Sequence, residues 1–464
     1  MKAIILAAGQ GKRMKTGLAK VLHQVLDKPM LRHIIDNLID LKINEAYIIV
    51  GHNQEQIVNY LNDNKLDQNF KTIVQDPPLG SGHALMQAID HLNDYPGDVL
   101  VLNGDMPLIQ FETLSNLVKT HNSCCNDITI LTASLPNPTG FGRIIRDNDN
   151  IIGIIEEKDA TGDQKNIQEI NVGIYCFKWA SIKNGLKNLQ PNNAQGEYYL
   201  TDLIKYAYAN KLKISSCSLS DFKEASGVNS RAELALANRH LSDINIARLL
   251  DSGVTIIDPK STWISSNVKI GIDTIIMPNT YILGDVNIGG NCIIGPDSNI
   301  TGVVNIGDNV EIKSSYLNNC NIGDACKIGP FANIRFNTIL SPNVKIGNFV
   351  EIKASSIATH TNVSHLSYIG DTTIGKYSNV GAGTITANYN HMSKEKFKTV
   401  IGSNVAIGSN CVLVAPVTVG DNTILAAGSV ITKMVPDCAL AIARGKQTNK
   451  ENYVKEKYAV KVEK

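Results

Sequence analysis

The chain has 464 residues, a formal net charge of +1, and 43% apolar and 19% charged residues. That length calls for two or more domains, the balanced charge leaves no basic field for nucleic acid, and no apolar run is long enough to be inserted in a membrane. The nine cysteines are scattered, with Cys124 and Cys125 adjacent and no CxxC pair, which reads as the reduced thiols of a cytoplasmic protein rather than disulfides or a zinc site.

At the start, Lys2 precedes a short apolar run, as in a secretion signal, but the run leads straight into a glycine-rich loop and reads as a buried first strand. Strand-like runs follow at Ala46–Val50, Lys71–Val74, Val99–Leu102 and Ile128–Thr132, after the first at Ala3–Leu6. Helix-like runs lie at Met30–Leu41, Gln54–Leu61 and Gly82–Leu92. This alternation predicts a Rossmann-like α/β domain, a parallel sheet covered on both faces, with its ligand beyond the carboxyl ends of the strands. The loop Leu6-Ala7-Ala8-Gly9-Gln10-Gly11-Lys12-Arg13-Met14 suits a phosphate chain, because glycines let backbone N–H groups approach it. It is neither a Walker loop, since Arg13 follows Lys12, nor a dinucleotide fingerprint, since Met14 stands where the third glycine belongs. Asp105, after the strand ending near Leu102, reads either as a helix cap or as a carboxylate that holds Mg²⁺ against phosphate oxygens.

Ser230–Asp251 reads as one helix that opens on a capping box of Ser230 and Glu233. Beyond it an isoleucine stands at every sixth position from Ile264 to Ile312. Neither a helix of 3.6 residues per turn nor a strand of period 2 produces that spacing. Three short strands per coil, each sending one branched side chain inward, do produce it, and stacked coils make a parallel β-helix prism. Asn267, Asp273, Asn279, Asp285, Asn291 and Asp297 are expected at left-handed corners. Val268, Thr274, Thr280, Val286, Cys292 and Ser298 follow them as small or branched inner residues. The period slips, resumes from Ile322 and again from Ile401, and stops after Ile431, which predicts some nine coils in a rod about 45 Å tall. The alternative, a set of unrelated hairpins, would seldom fill so many consecutive period-six sites. From Gly445 the Lys- and Glu-rich tail reads as a solvated, partly helical arm.

Gly9-x-Gly11-x-Arg13-Met14 with Lys20-Val21-Leu22, and Asn103-Gly104-Asp105-Met106-Pro107-Leu108, resemble the signature of sugar-nucleotide pyrophosphorylases. Joined to the prism, with Gly140-Phe141-Gly142-Arg143, Glu156-Glu157-Lys158, Glu169-Ile170-Asn171 and His365-Leu366-Ser367-Tyr368, the chain resembles over nearly its whole length a bacterial bifunctional family. Its members are N-acetylglucosamine-1-phosphate uridyltransferases and glucosamine-1-phosphate acetyltransferases. The resemblance implies a nucleotidyltransferase domain at 1–229, a helical linker at 230–252, a left-handed β-helix of hexapeptide repeats at 253–444 and a tail at 445–464. It implies UTP, acetyl-CoA and glucosamine 1-phosphate as substrates, a homotrimer, and Mg²⁺ held by Asp105 and Asn229. Leu6, Ala7, Ala8, Gly9, Asn103 and Gly104 would line the nucleotide and sugar site; Gln75, Gly80 and Ser81 would hold uracil. Gly140, Glu156 and Asn171 would hold the amino sugar, and Arg13 and Lys20 would neutralise the triphosphate.

In the prism the resemblance makes His365 the base that frees the sugar amine, with Glu351 orienting it and Arg335, Lys353, Tyr368 and Asn379 holding the sugar phosphate. Coenzyme A would meet Ala382, Ser409, Ala427 and Arg444, with Asn388 and Tyr389 near the acetyl group. No cysteine joins this constellation, which favours direct transfer over an acetyl-cysteine. Against the family pattern, Lys12 replaces Thr or Ser, Ala19 replaces Pro, Asn103 replaces Tyr, Phe336 replaces Pro, Asn390-His391 replaces Asp-Gly, and the loop to Lys396 is longer. Two other readings stay open, a single nucleotidyltransferase whose prism only oligomerises or regulates it, and a non-catalytic scaffold. A spacer has no use for Arg335, Lys353, His365, Asn388 and Tyr389 together, which favours two activities.

Overall fold

The computed structural model of the chain describes residues 1–51 and 53–458. It contains two compact units, Met1–Leu241 and the residues from Ser242 on. Side chains of the first unit's strands alternate between two apolar layers: Ile5, Leu100 and Leu102 enter one, Ile4, Val99 and Val101 the other. The first layer is closed by the helices Met30–Asp40, Gln54–Asp63 and Phe111–Ser123. The second is closed by Ser81–Met86, Trp179–Lys187 and Asp202–Ala209.

The main path of this nine-stranded sheet runs Ile214–Ser218, Ile128–Ser134, Glu169–Lys178, Asp98–Asn103, Lys2–Ala7, Ala46–Val50, Phe70–Val74. The sheet is mixed rather than wholly parallel, because Glu169–Lys178 runs antiparallel to both neighbours. The chain reaches that strand through the hairpin Gly142–Asp147/Asn150–Ile155 instead of through a helical crossover, so no parallel return is imposed. The helix expected at Gly82–Leu92 is also divided, into Ser81–Met86 and a 3₁₀ turn at Asp90–Leu92.

The helix Arg231–Asp251 begins as expected, with one change at its cap. Ser230 Oγ accepts from Glu233 N at 3.2 Å, but the Glu233 carboxylate accepts from Asn229 N at 2.6 Å. Half of the expected capping box is therefore displaced by one residue. Ala237 and Leu241 pack with Val25, Met30 and Leu108 in the first unit, while Ile246 and Leu249 enter the core of the second.

The second unit is the stacked-coil prism. Ile276, Ile294, Ile312, Ile328 and Ile346 are successive register partners in parallel strands. Each buries a branched side chain worth about 1.5–3 kcal/mol in the column's core. One face has eleven strands and the other two merge into a seventeen-stranded sheet, so the stack exceeds the expected nine coils. It also continues past Ile431: Val435 bridges Val419, and Leu440–Ala441 pairs with Ile424–Leu425.

Asp273, Asn279, Asn291 and Asp297 occupy left-handed corners, with φ between 52° and 60°. Asn267 and Asp285 do not. Asn267 lies in a turn closed by Val268 N donating to Ser265 O at 3.2 Å. In the next two coils this corner is carried by glycine, with φ 111° at Gly284 and 82° at Gly302, where the strands Tyr281–Ile288 and Asn299–Ile306 run straight through it. The small inner residues are buried, and Thr280 Oγ1, for example, donates to Met277 O at 2.8 Å. Between Val380 and Ile407 the coil lengthens to admit the hairpin Tyr389–Asn390/Glu395–Lys396. The tail carries an exposed helix, Tyr453–Tyr458; the remainder of the expected arm, 459–464, lies outside the described residues.

Candidate active sites

In the first unit, the strand Lys2–Ala7 delivers the glycine loop to the carboxyl edge of the sheet. Gly11 has φ 57°, and a Cβ there would stand 3.0 Å from Cβ of Lys20, so glycine lets the loop lie against that side chain. Lys20 is held by the buried Val21 and Leu22 beside it. Its Nζ pairs with Asp105 Oδ2 and donates to Asn229 Oδ1 at 3.0 Å. Val228 N donates to Asp105 O at 2.9 Å, which ties the Asn229 loop to the end of the strand Asp98–Asn103. Two oxygens and an ammonium thus converge from three distant segments.

Leu6, Ala7, Ala8, Gly9, Lys20, Gln75, Gly80, Ser81, Asn103 and Asp105 line one cleft of about 610 Å³. Gly104 lies behind it, packed against Val21 and Ala7. Arg13 is exposed on the Lys12–Met14 turn, outside the cleft wall. Glu156 borders a separate hollow of about 160 Å³ and accepts from Thr201 Oγ1 at 3.0 Å; burial pushes its carboxyl above the usual value. Gly140 N donates to Glu157 Oε2 at 3.2 Å. Asn171 sits on a bulge, where its Nδ2 donates to Tyr175 Oη at 2.7 Å and its Oδ1 accepts from Gly173 N at 3.1 Å. Asn103 Nδ2 donates to Gly173 O at 3.3 Å and so joins that bulge to the cleft.

In the second unit, His365 ends the strand Asn362–His365 and is exposed at a prism edge. Its Nδ1 lies 2.7 Å from Asn348 Oδ1, the residue directly in register one coil earlier. Glu351, expected to orient the imidazole, instead accepts from Arg335 Nη1 at 2.6 Å. The side chain in contact with His365 Nδ1 is Asn348, a residue the sequence reading did not single out. After the corner at Leu366, Tyr368 stands in register with Glu351 and pairs also with Ile385. Asn379 stands in register with Asn362 on the His365 face.

Lys353 is buried at the far end of the same short strand as Glu351. The Lys396 ammonium beside it, together with burial, holds Lys353 below the ordinary lysine value. Both Lys353 Nζ, at 5.3 Å, and Arg335 Cζ, at 5.6 Å, lie over the ring of Phe336. Asn388 Nδ2 donates to Asp371 Oδ2 at 2.5 Å, and Tyr389 is exposed beyond it. Lys353, Lys396 and Arg335 form a cluster of cations, with Glu351 paired to Arg335 and Asp371 nearby, and such a cluster can hold a phosphate.

Above His365 one edge carries the four residues expected to meet coenzyme A. Gly383 N donates to His365 O, Asn410 N to Ala382 O, Gly428 N to Ser409 O, and Arg444 Nη1 to Ala427 O. Ala382, Ser409, Ala427 and Arg444 are thereby stacked coil upon coil.

Residues 2–244 match the nucleotidyl transferase family, residues 267–302 and 398–433 the bacterial transferase hexapeptide (six repeats), and residues 316–396 the GMPPB C-terminal domain. The bifunctional protein GlmU of Acetivibrio thermocellus is 44% identical over 465 residues, covering 100% of this chain and 99% of its own. That of Clostridium perfringens is 46% identical over 455 residues, 98% of each chain. That of Staphylococcus epidermidis is 44% identical over 454 residues, covering 98% of this chain and 99% of its own. With likeness of this extent in both units, the chain belongs to the bifunctional GlmU family.

Proposed function

We propose that each of the chain's two reactions runs in its own unit, at the constellations described above. The chain is a bifunctional enzyme. It acetylates glucosamine 1-phosphate from acetyl-CoA, then transfers UMP from UTP to N-acetylglucosamine 1-phosphate, giving UDP-N-acetylglucosamine and pyrophosphate. The observation that carries the site assignment is that one polypeptide builds both a cationic clasp at the carboxyl edge of a sheet and an imidazole held at Nδ1 on a prism edge.

For uridylyl transfer, a phosphate oxygen of the sugar attacks the α-phosphorus of UTP in line, and the bond to the departing pyrophosphate breaks. Positioning and charge neutralisation supply most of such a rate, without a covalent residue. Lys20 and Arg13 neutralise the triphosphate, Gln75, Gly80 and Ser81 hold uracil, and Gly140, Glu156 and Asn171 hold the amino sugar. The oxygens of Asp105 and Asn229 already hold one cation, the Lys20 ammonium, which is the donor chemistry a hard divalent ion requires. They would hold Mg²⁺, which neutralises the phosphate oxygens when bound.

For acetylation, His365 takes a proton from the sugar ammonium at its free ring nitrogen, and the freed amine attacks the thioester carbonyl carbon. The carbon–sulfur bond breaks, the nitrogen loses its second proton to solvent as the amide forms, and the departing thiolate takes back the proton held by His365, so coenzyme A leaves as the thiol. Asn348 keeps the imidazole aligned. Arg335, Lys353, Tyr368 and Asn379 hold the sugar phosphate, Asn388 and Tyr389 flank the acetyl group, and the Ala382–Arg444 edge receives coenzyme A. We read the functional boundaries as 1–229, 230–252, 253–444 and 445–464, the assembly as a homotrimer and the compartment as the cytoplasm. Among the described residues no helix is long and apolar enough to cross a membrane.

The test is one incubation with UTP, glucosamine 1-phosphate, acetyl-CoA and Mg²⁺, each omitted in turn. Omitting UTP is expected to leave N-acetylglucosamine 1-phosphate, and omitting acetyl-CoA to stop both products. UDP-glucosamine formed without acetyl-CoA would refute the order of the reactions.

A further inference from the structure

The imidazole of His83 lies between two carboxamides. Gln75 Nε2 is 3.1 Å from its Nδ1, and Gln87 Nε2 is 3.1 Å from its Nε2. A neutral imidazole accepts at only one nitrogen, so it can satisfy only one of these donors. Gln75 is the constrained partner. Its side chain is 4% exposed, its Nε2 also donates to Gly80 O at 3.0 Å, and its backbone N donates to Val50 O at 2.8 Å. Turning that carboxamide would set Oε1 against the Gly80 carbonyl, acceptor against acceptor.

Gly80 cannot yield. Its φ is 109°, and even a Cβ there would stand 2.7 Å from Tyr198 O, an oxygen that accepts from Gly82 N at 2.7 Å. Gln87 closes the short helix Ser81–Met86, and its Nε2 also donates to His83 O at 3.1 Å, but it is only half-buried, so water can replace that bond and Gln87 is the amide that turns at lower cost. The consistent arrangement puts the His83 proton on Nε2, facing the oxygen of a turned Gln87, and the lone pair on Nδ1. Burial lowers the His83 pKa and favours this neutral form. Both amide hydrogens of Gln75 are then taken within the protein. Oε1 remains as its group in the cleft it shares with Lys20 and Asp105.

We propose that His83 is a positioning residue for base selection, locking the Gln75 carboxamide with its oxygen toward the nucleobase. A ring N–H, as in uracil, is then accepted, and a ring nitrogen with a lone pair, as in cytosine, is refused. The inference rests on the reading of Gln75 as a base contact.

The full chain is assayed for kcat and KM with UTP and with CTP, using N-acetylglucosamine 1-phosphate and Mg²⁺, alongside thermal unfolding. His83→Phe keeps a ring against Tyr198 but removes the acceptor. It is expected to cut the UTP-over-CTP preference about tenfold, the scale of one hydrogen bond, chiefly through the KM for UTP. His83→Asn, whose amide oxygen can stand near the lost Nδ1, is expected to keep the parent preference within about twofold. If His83→Phe unfolds early, His83→Leu carries the same expectation. An unchanged preference in His83→Phe, with Gln75→Ala losing it, overturns the role of His83 alone. Equal losses in His83→Phe and His83→Asn mean packing rather than positioning and overturn it too. An unchanged preference in Gln75→Ala overturns instead the reading of Gln75 on which the inference rests.

Discussion

Asn348 Oδ1 stands 2.7 Å from His365 Nδ1, an uncharged contact that fixes the orientation of the ring. Removing such an orienting contact is expected to lower acetyl-transfer kcat about ten- to a hundredfold in Asn348→Ala, with uridylyl transfer unchanged. Full acetyl transfer in that variant would return the orienting role to another group. Glu156 poses a different question, because burial raises its carboxyl pKa. A raised folded pKa contributes stability below the ordinary carboxylate value and loses it as pH rises through the raised one. Ionised Glu156 is therefore a stability cost at neutral pH. Glu156→Gln is expected to melt later than the parent at pH 7.5, with the gap closing toward pH 4.5, while uridylyl transfer weakens. Equal melting differences at both pH values would exclude the buried charge as the cause. Asp105, Lys20 and His365 were legible because reactive side chains stand in distinctive local strings. Asn348 was not, because it meets its partner through a coil whose length slips along the prism, and only the register of the folded strands reveals the pair.

The hairpin Tyr389–Asn390/Glu395–Lys396 is an insertion into an otherwise continuous column. Thr372–Ile374 pairs directly with Thr399–Ile401, so the ladder closes behind it. Phe397 N donates to Asn388 O at 2.8 Å, which narrows the hairpin to its base. Replacing Tyr389–Lys396 by Gly-Gly is therefore expected to shift the prism's unfolding temperature by only a few degrees, since surface insertions contribute little to a core. Acetyl transfer is expected to fall at least a hundredfold, because Tyr389 and the Lys396 ammonium beside Lys353 both leave. A collapse of prism stability would instead make the hairpin structural. At this scale the six-residue rhythm was readable because each rung buries one isoleucine. The exchange of Asn or Asp for glycine at the third corner was less so, since Asn267 and Asp285 keep the pattern without adopting its backbone. The antiparallel strand Glu169–Lys178 was hidden for a related reason: strand direction depends on how the chain arrives, not on apolar content.

At the scale of the whole molecule, the sheet's two apolar layers and the isoleucine column are separate cores. Lys20, Asp105 and Asn229 meet within the first unit, and Arg335, Glu351, Asn348 and His365 pair within the second. A lesion confined to one constellation should leave the other working. Asp105→Ala is expected to stop pyrophosphate release while acetyl transfer stays at the parent rate, and His365→Ala is expected to do the reverse. The stronger consequence concerns their mixture. N-acetylglucosamine 1-phosphate made by the Asp105→Ala chain can diffuse to the His365→Ala chain, so the mixture should make UDP-N-acetylglucosamine from glucosamine 1-phosphate after a lag while the intermediate accumulates. The lag should shorten as the Asp105→Ala chain is added in excess. Continued failure of the mixture, with each chain still competent in its remaining half-reaction, would mean that the intermediate must pass within one assembly, and the two units could not then be treated as independent catalysts.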